Sequence, residues 1–133
     1  ISAFSFCRKS VSSDCIVFLD FHAETTSEKT AMGYYLDGRV NGVVGTHTHV
    51  QTADERILPH GTAYITDLGM VGPRDSVLGV KTDLILERFT TAMPVRFDVA
   101  DGPCVYSAVI VTIDDATNET RAIERLLLQE DEL

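Results

Sequence analysis

Positive charge is scarce in this chain. Across 133 residues, 11 Lys and Arg stand against 20 Asp and Glu, a net charge of −9. The basic residues are scattered rather than gathered, so no extended nucleic-acid-binding face is expected. An anionic substrate stays open, because a bound metal ion reverses the sign of a site locally. Long apolar runs are missing too. The longest covers residues 15–19, strand length and far short of the roughly 18 residues a membrane-spanning helix needs. With only 4 Pro and 9 Gly the chain is neither collagen-like nor low-complexity, and at 44% hydrophobic residues it can bury a core. Its length suits one domain of roughly 100–150 residues, or part of one.

Cysteine is also sparse. Cys7, Cys15 and Cys104 show no CxxC spacing, and an odd count argues against a closed disulfide framework. Cys15 and Cys104 open apolar runs, where a small buried hydrophobe is expected. That usage suits a cytoplasmic or other reducing compartment. The first residue is Ile1, and residues 1–13 lack the charged and apolar regions of a signal peptide. The numbering is therefore expected to begin inside a longer protein or after processing.

What is present alternates between strand and helix signals. Residues 16–21 (IVFLDF) read as a buried strand. Residues 25–36 read as a helix capped by Thr25 or Thr26, with Ala31, Met32, Tyr35 and Leu36 at helical spacing and Asp37-Gly38 as its stop. Residues 40–46 and 63–66 are further strands, and the glycine-rich stretch 69–79 is a loop. Thr82–Thr91 is a second helix, capped by Thr82 or Asp83 and stopped near Pro94. Residues 95–99 alternate as a half-exposed strand, Cys104–Ile113 is the longest strand, residues 115–118 form a turn, and residues 121–129 form a closing helix. Early alternation followed by strands in succession predicts an α/β fold with a mixed sheet and flanking helices.

Three of the four histidines fall between His22 and His49. His22 directly follows the first strand, and Gly45-Thr46-His47-Thr48-His49 ends the second. In extended backbone residues i and i+2 point the same way, so His47 and His49 could converge. If the two strands are parallel neighbours, His22 reaches the same carboxyl edge, where open α/β sheets bind ligands. Three neutral imidazoles at one edge suggest a transition-metal site. Asp20 and Glu24 flank His22 and could orient it as acceptors, although Asp20 could equally cap a turn and Glu24 simply lie near a helix N-terminus. Asp67, closing the third strand, could lend similar support. Arg74, in the glycine loop, is the basic residue placed to meet a phosphate. Asp54-Glu55-Arg56 reads as a solvated turn, and His60, in Pro59-His60-Gly61, as exposed.

Four segments carry a resemblance. They are DFHAETTSEK at 20–29, YLDGRV at 35–40, GTHTHVQTADER at 45–56 and GTAYITDLGM at 61–70, followed by Gly72-Pro73 and Asp75-Ser76-Val77. Together they resemble the YmdB-type branch of the calcineurin-like metallophosphoesterases, over residues 16–100 and more loosely to 113. The resemblance implies part of an αββα sandwich and a binuclear metal phosphodiesterase acting on 2′,3′-cyclic nucleotides or related phosphodiesters. It implies two divalent ions, iron or manganese with zinc as a further option. By position it implies His22 and His47 as ligands of one ion and His49 as a ligand of the other.

The family pattern also includes an Asp ligand on a first strand, a bridging Glu, an Asn ligand and an Asn-His pair, and none of these precedes Asp20 here. Residues 1–15 are set apart as not matching, and residues 16–133 are expected to be the C-terminal half of the domain. Two expectations follow. The chain is a fragment of a complete enzyme, or it is a truncated and inactive relative serving as a structural or binding subunit, with a partner chain supplying the other half. In either case half a binuclear site is expected to be inactive alone.

Overall fold

The computed structural model describes residues 15–130. Seven strands and two helices follow in the order β1 (Phe18–His22), α1 (Thr26–Leu36), β2 (Gly42–Thr46), β3 (Arg56–Ile57), β4 (Ala63–Ile65), β5 (Val71–Pro73), α2 (Thr82–Thr91), β6 (Cys104–Ile113) and β7 (Thr120–Gln129). The fold is mixed α/β, as expected. One sheet has the order β1-β2-β4-β3, parallel except for β3, and a second, antiparallel sheet has the order β5-β6-β7. No helix among the described residues is long and apolar enough to cross a membrane.

The core lies where α1 covers the first sheet. Met32 and Leu36 pack with Val43 of β2, Tyr64 of β4 and Leu58, all nearly inaccessible. The buried face of α1 is Lys29, Met32, Gly33 and Leu36, an i, i+3, i+4, i+7 stripe. Ala31 and Tyr35, expected on that face, are exposed instead. Gly33 is required by contact: a Cβ there would stand 2.6 Å from the Tyr64 ring. Thr25 caps α1 through its backbone, its carbonyl accepting from the amides of Glu28 and Lys29. Lys81, rather than Thr82 or Asp83, precedes α2, which ends at Ala92 in a left-handed conformation two residues before Pro94.

The carboxyl-terminal third departs from the sequence reading. Residues 121–129, expected as a helix, lie in β7, which pairs with β6 from Val105↔Gln129 to Ile113↔Thr120 with an irregularity at Thr112/Ile113. Arg, Leu and Glu favour helix only as a weak prior, and a long antiparallel ladder overrides it. The turn between them is as expected: Asp114 accepts the amides of Ala116 and Thr117, and Asn118 takes a positive φ of 56°. Residues 95–99, expected as a strand, find no ladder, and Val99 alone makes an isolated bridge to Val80. The glycine-rich stretch expected as loop contains β5, whose Pro73 is tolerated because β5 is an edge strand. Cys15 and Cys104 are exposed rather than buried, since the faces they open onto are uncovered. Cys7 lies outside the described residues.

Candidate functional site

The site follows from strand register. β1 and β2 run parallel with His22 opposite Thr46, so both strands end side by side at the same carboxyl edge. Asp20 is two residues before His22 and projects to the same face. The hydroxyl of Thr46 donates to Asp20 Oδ1 at 2.8 Å and meets His22 Nδ1 at 3.1 Å. A hydroxyl has one proton to give. With that proton directed at Asp20, Thr46 accepts from His22 Nδ1–H, the tautomer that presents the lone pair of Nε2 outward. This fixes a tautomer in the manner of the acceptors that orient metal-binding histidines.

The partner facing that lone pair is His47. Its Nδ1 lies 3.0 Å from His22 Nε2, and the two rings meet edge to face with centroids 4.9 Å apart. Two nitrogens bound to one ion at about 2.0–2.1 Å stand roughly 2.8–3.4 Å apart for right-angle to tetrahedral geometry. The pair therefore fits two ligands of one transition-metal ion. Both rings are exposed at the edge.

The His-Thr-His segment is not extended. β2 ends at Thr46, and both His47 (φ 117°) and His49 (φ 64°) have positive φ, a conformation that costs about 1–3 kcal/mol for a non-glycine residue. The i, i+2 argument for their convergence thus does not apply. His22 and His47 are brought together, while His49 stands outside the pair. Among the described residues no group of three or more His, Cys, Asp or Glu is arranged to hold a metal ion.

The strained turn is anchored from below. The backbone amide of Thr48 donates to Asp67 Oδ2 at 2.9 Å, and the amide of Gly69 donates to Asp67 Oδ1. Lys29 Nζ reaches the same Oδ2 at 2.8 Å, with side-chain exposures of 1% for Lys29 and 0% for Asp67. Burial pushes the Asp67 carboxyl up, but the hydrogen bonds from Lys29, Thr48 and Gly69 outweigh it and hold the group below the usual carboxylate value. Close approach also shapes this corner: a Cβ on Gly45 would fall 1.8 Å from the Thr66 carbonyl oxygen.

Asp54 corrects the reading of residues 54–56 as a solvated turn. It is half-buried, and it accepts from the hydroxyl of Thr52, the amide of Thr66 and the hydroxyl of Thr66. Burial raises its carboxyl, and these bonds lower it further than burial raises it. Glu55 pairs with Arg125 at 3.5 Å, and Arg56 opens β3 with its guanidinium over the Tyr64 ring. Glu24 is exposed in the connection to α1 and takes no part in the Asp20–Thr46–His22–His47 chain. Arg74 engages Asp75 and Gln129. His60 is exposed, as expected, and bonds Asp37 at the end of α1.

Thr46, Thr48 and Lys29 were not among the expected site residues. A threonine at a strand end looks like any β-former. Lys29 did leave a signal, a lysine occupying the first position of an otherwise apolar helix stripe.

Comparison with known proteins then adds an independent line. The sequence profile of YmdB-like proteins matches residues 2–126, a span that takes in part of the segment 1–15. A 2′,3′-cyclic-nucleotide 2′-phosphodiesterase of Bacillus subtilis (strain 168) is 58% identical over 117 residues, 88% of this chain and 44% of that protein. The crystal structure of a hypothetical protein from Thermus thermophilus superposes with a TM-score of 0.88 at 36% identity, covering 97% of this chain and 50% of that one. That of a novel phosphatase from Mycoplasma pneumoniae gives 0.79 at 41% identity, covering 84% and 40%. The chain thus spans less than half the length of the curated relatives it matches.

Proposed function

The chain belongs to the family of YmdB-like proteins, and from that membership we propose that it supplies the histidine side of a divalent-metal phosphoesterase centre acting on phosphodiesters such as 2′,3′-cyclic nucleotides. The observation that carries this reading is the 3.0 Å approach of His22 Nε2 to His47 Nδ1, with His22 oriented by Thr46 and Asp20. His22 and His47 would hold one ion, and His49, exposed one residue beyond Thr48, would serve a second. Imidazole suits iron and zinc, and manganese would draw on oxygen ligands that complete the shell. The chemistry such ions bring is Lewis acidity toward phosphoryl oxygens and a nucleophile available at neutral pH.

What the residues themselves do is more restricted. Asp20 and Thr46 hold the His22 proton on Nδ1 and keep Nε2 free. The positive φ at His47 turns its ring across the strand end toward His22. The net charge of −9 would repel a phosphodiester unless cations occupy the edge, so substrate binding in this reading follows metal binding. Because no third donor among the described residues joins the pair, the remaining ligands come from elsewhere, either other parts of the same protein or a partner chain. The Bacillus relative is described by its activity on 2′,3′-cyclic nucleotides, and that substrate class is carried here as part of the proposal.

A chimera tests it. The matching segment of the Bacillus protein is replaced by this chain, and hydrolysis of a 2′,3′-cyclic nucleotide is followed with added manganese. Metal-dependent turnover is expected, together with a loss beyond about 100-fold on His47→Ala, since even partners that only orient a ligand are worth about 10–100-fold. Full turnover by the His47→Ala chimera at saturating manganese would refute the assignment.

A further inference from the structure

We propose that Lys29 is a positioning residue for the histidine turn, acting through Asp67 on the Thr48 amide; this rests on the metal-site reading above. The turn from His47 to Val50 is exposed and has positive φ on both sides of Thr48. Such backbone persists only where its surroundings over-determine it. The hydrogen bonds between Thr48 Oγ1 and Val50 are internal to the turn. Toward the body of the fold, His47 meets His22, and Thr48 meets Asp67 through its amide, with its hydroxyl also facing that carboxylate. The first contact is between the two rings that would be given over to an ion. The second is therefore the backbone anchor that survives occupancy.

That anchor depends on a charge. Asp67 is fully buried and uses both oxygens, Oδ2 for Lys29 and Thr48 and Oδ1 for Gly69. An isolated carboxylate in such a place either takes up a proton or moves toward water, and both outcomes surrender an acceptor. The Lys29 ammonium, 2.8 Å away and equally buried, keeps it ionised and in place. A lysine is otherwise out of place on this stripe, whose other members are Met32, Gly33 and Leu36. Lys29 also lies beneath β2: its Cδ would be 3.0 Å from a Cβ at Gly45, just ahead of the turn.

The experiment compares the 133-residue chain with Lys29→Met, which keeps the length and removes charge and donor, and with Lys29→Gln, which keeps a donor. Two quantities are read. One is hydrogen exchange of the Thr48 amide relative to the Leu68 amide, which donates to the Gly45 carbonyl at 2.9 Å and reports on the body of the sheet. The other is affinity for manganese alone. For Lys29→Met, Thr48 is expected to exchange at least about tenfold faster relative to Leu68, and manganese affinity to fall about 10–100-fold. Lys29→Gln should be intermediate in both. Equal loosening of Thr48 and Leu68, or an unchanged manganese affinity in a folded Lys29→Met chain, would overturn the proposal in favour of a purely structural lysine. If Lys29→Met leaves Leu68 unprotected, Lys29→Gln carries the comparison, and collapse of both variants likewise overturns it. Should the unaltered chain bind no manganese, the metal-site reading fails, while the Thr48 exchange ratio still decides whether Lys29 holds the turn.

Discussion

Replacing Thr46 by valine removes one oxygen and little else. The side chains are close to isosteric, the position is a half-buried strand end, and valine favours β structure. Two hydrogen bonds disappear: the 3.1 Å contact with His22 Nδ1 and the 2.8 Å bond to Asp20 Oδ1. Such bonds are worth about 0.5–1.5 kcal/mol each, more when one partner is charged, but this edge is open to water, which replaces part of what is lost. Folding stability should therefore change by less than about 1.5 kcal/mol. Metal affinity should change more. Without the hydroxyl, His22 is free to exchange tautomers and rotate, and loss of an orienting partner costs about 10–100-fold, or roughly 1.4–2.7 kcal/mol. Calorimetric titration with manganese gives the affinity, urea denaturation gives the stability, and the ring ¹⁵N shifts of His22 report its tautomer. If Thr46→Val binds manganese as tightly as the unaltered chain and keeps the Nδ1–H tautomer, the hydroxyl does not orient His22.

Two further outcomes test the frame around the site. Gly33→Ala places a methyl carbon 2.6 Å from the Tyr64 ring, so overpacking of about 1–3 kcal/mol should exceed the helix-propensity gain of about 1 kcal/mol; a lowered urea midpoint is expected, and a raised one would contradict the packing described. Asp54 and Asp67 are both held below the ordinary carboxylate value in the folded state, so they add stability above about pH 4 that drains away as pH falls through their lowered values; urea midpoints should drop between pH 5 and pH 2, less steeply for Asp54→Asn, and a flat profile would remove these carboxylates from the account.

Much of the site was legible because it depends on strand ends. Residues 16–21 and 40–46 are short apolar runs closed by histidines, and a parallel pairing brings such ends together whatever the details. Both strands start two residues later than expected and β1 ends one residue later, and that end matters: His22 is the last residue of β1, opposite Thr46, rather than the start of a loop. The i, i+2 alternation of His47 and His49 stops with the end of β2, where both histidines take positive φ, so the placement of His49 beside a second ion rests on the proposal above and not on strand geometry. β7 was hidden for a different reason. Its Arg, Leu and Glu residues carry no strand signal locally, and the ladder with β6 that holds them is a long-range fact. The same applies to Asp54, whose partners at Thr52 and Thr66 are joined only once β4 is in place.

The central claim is that His22 and His47 jointly hold a divalent ion at the carboxyl edge of β1 and β2. The most direct measurement is anomalous diffraction from crystals of the chain soaked in manganese. The account predicts one anomalous peak within bonding distance of both His22 Nε2 and His47 Nδ1, with Thr46 still bridging His22 to Asp20. Crystals in which the two rings keep their 3.0 Å contact with no peak between them, or with manganese seated elsewhere, would contradict it.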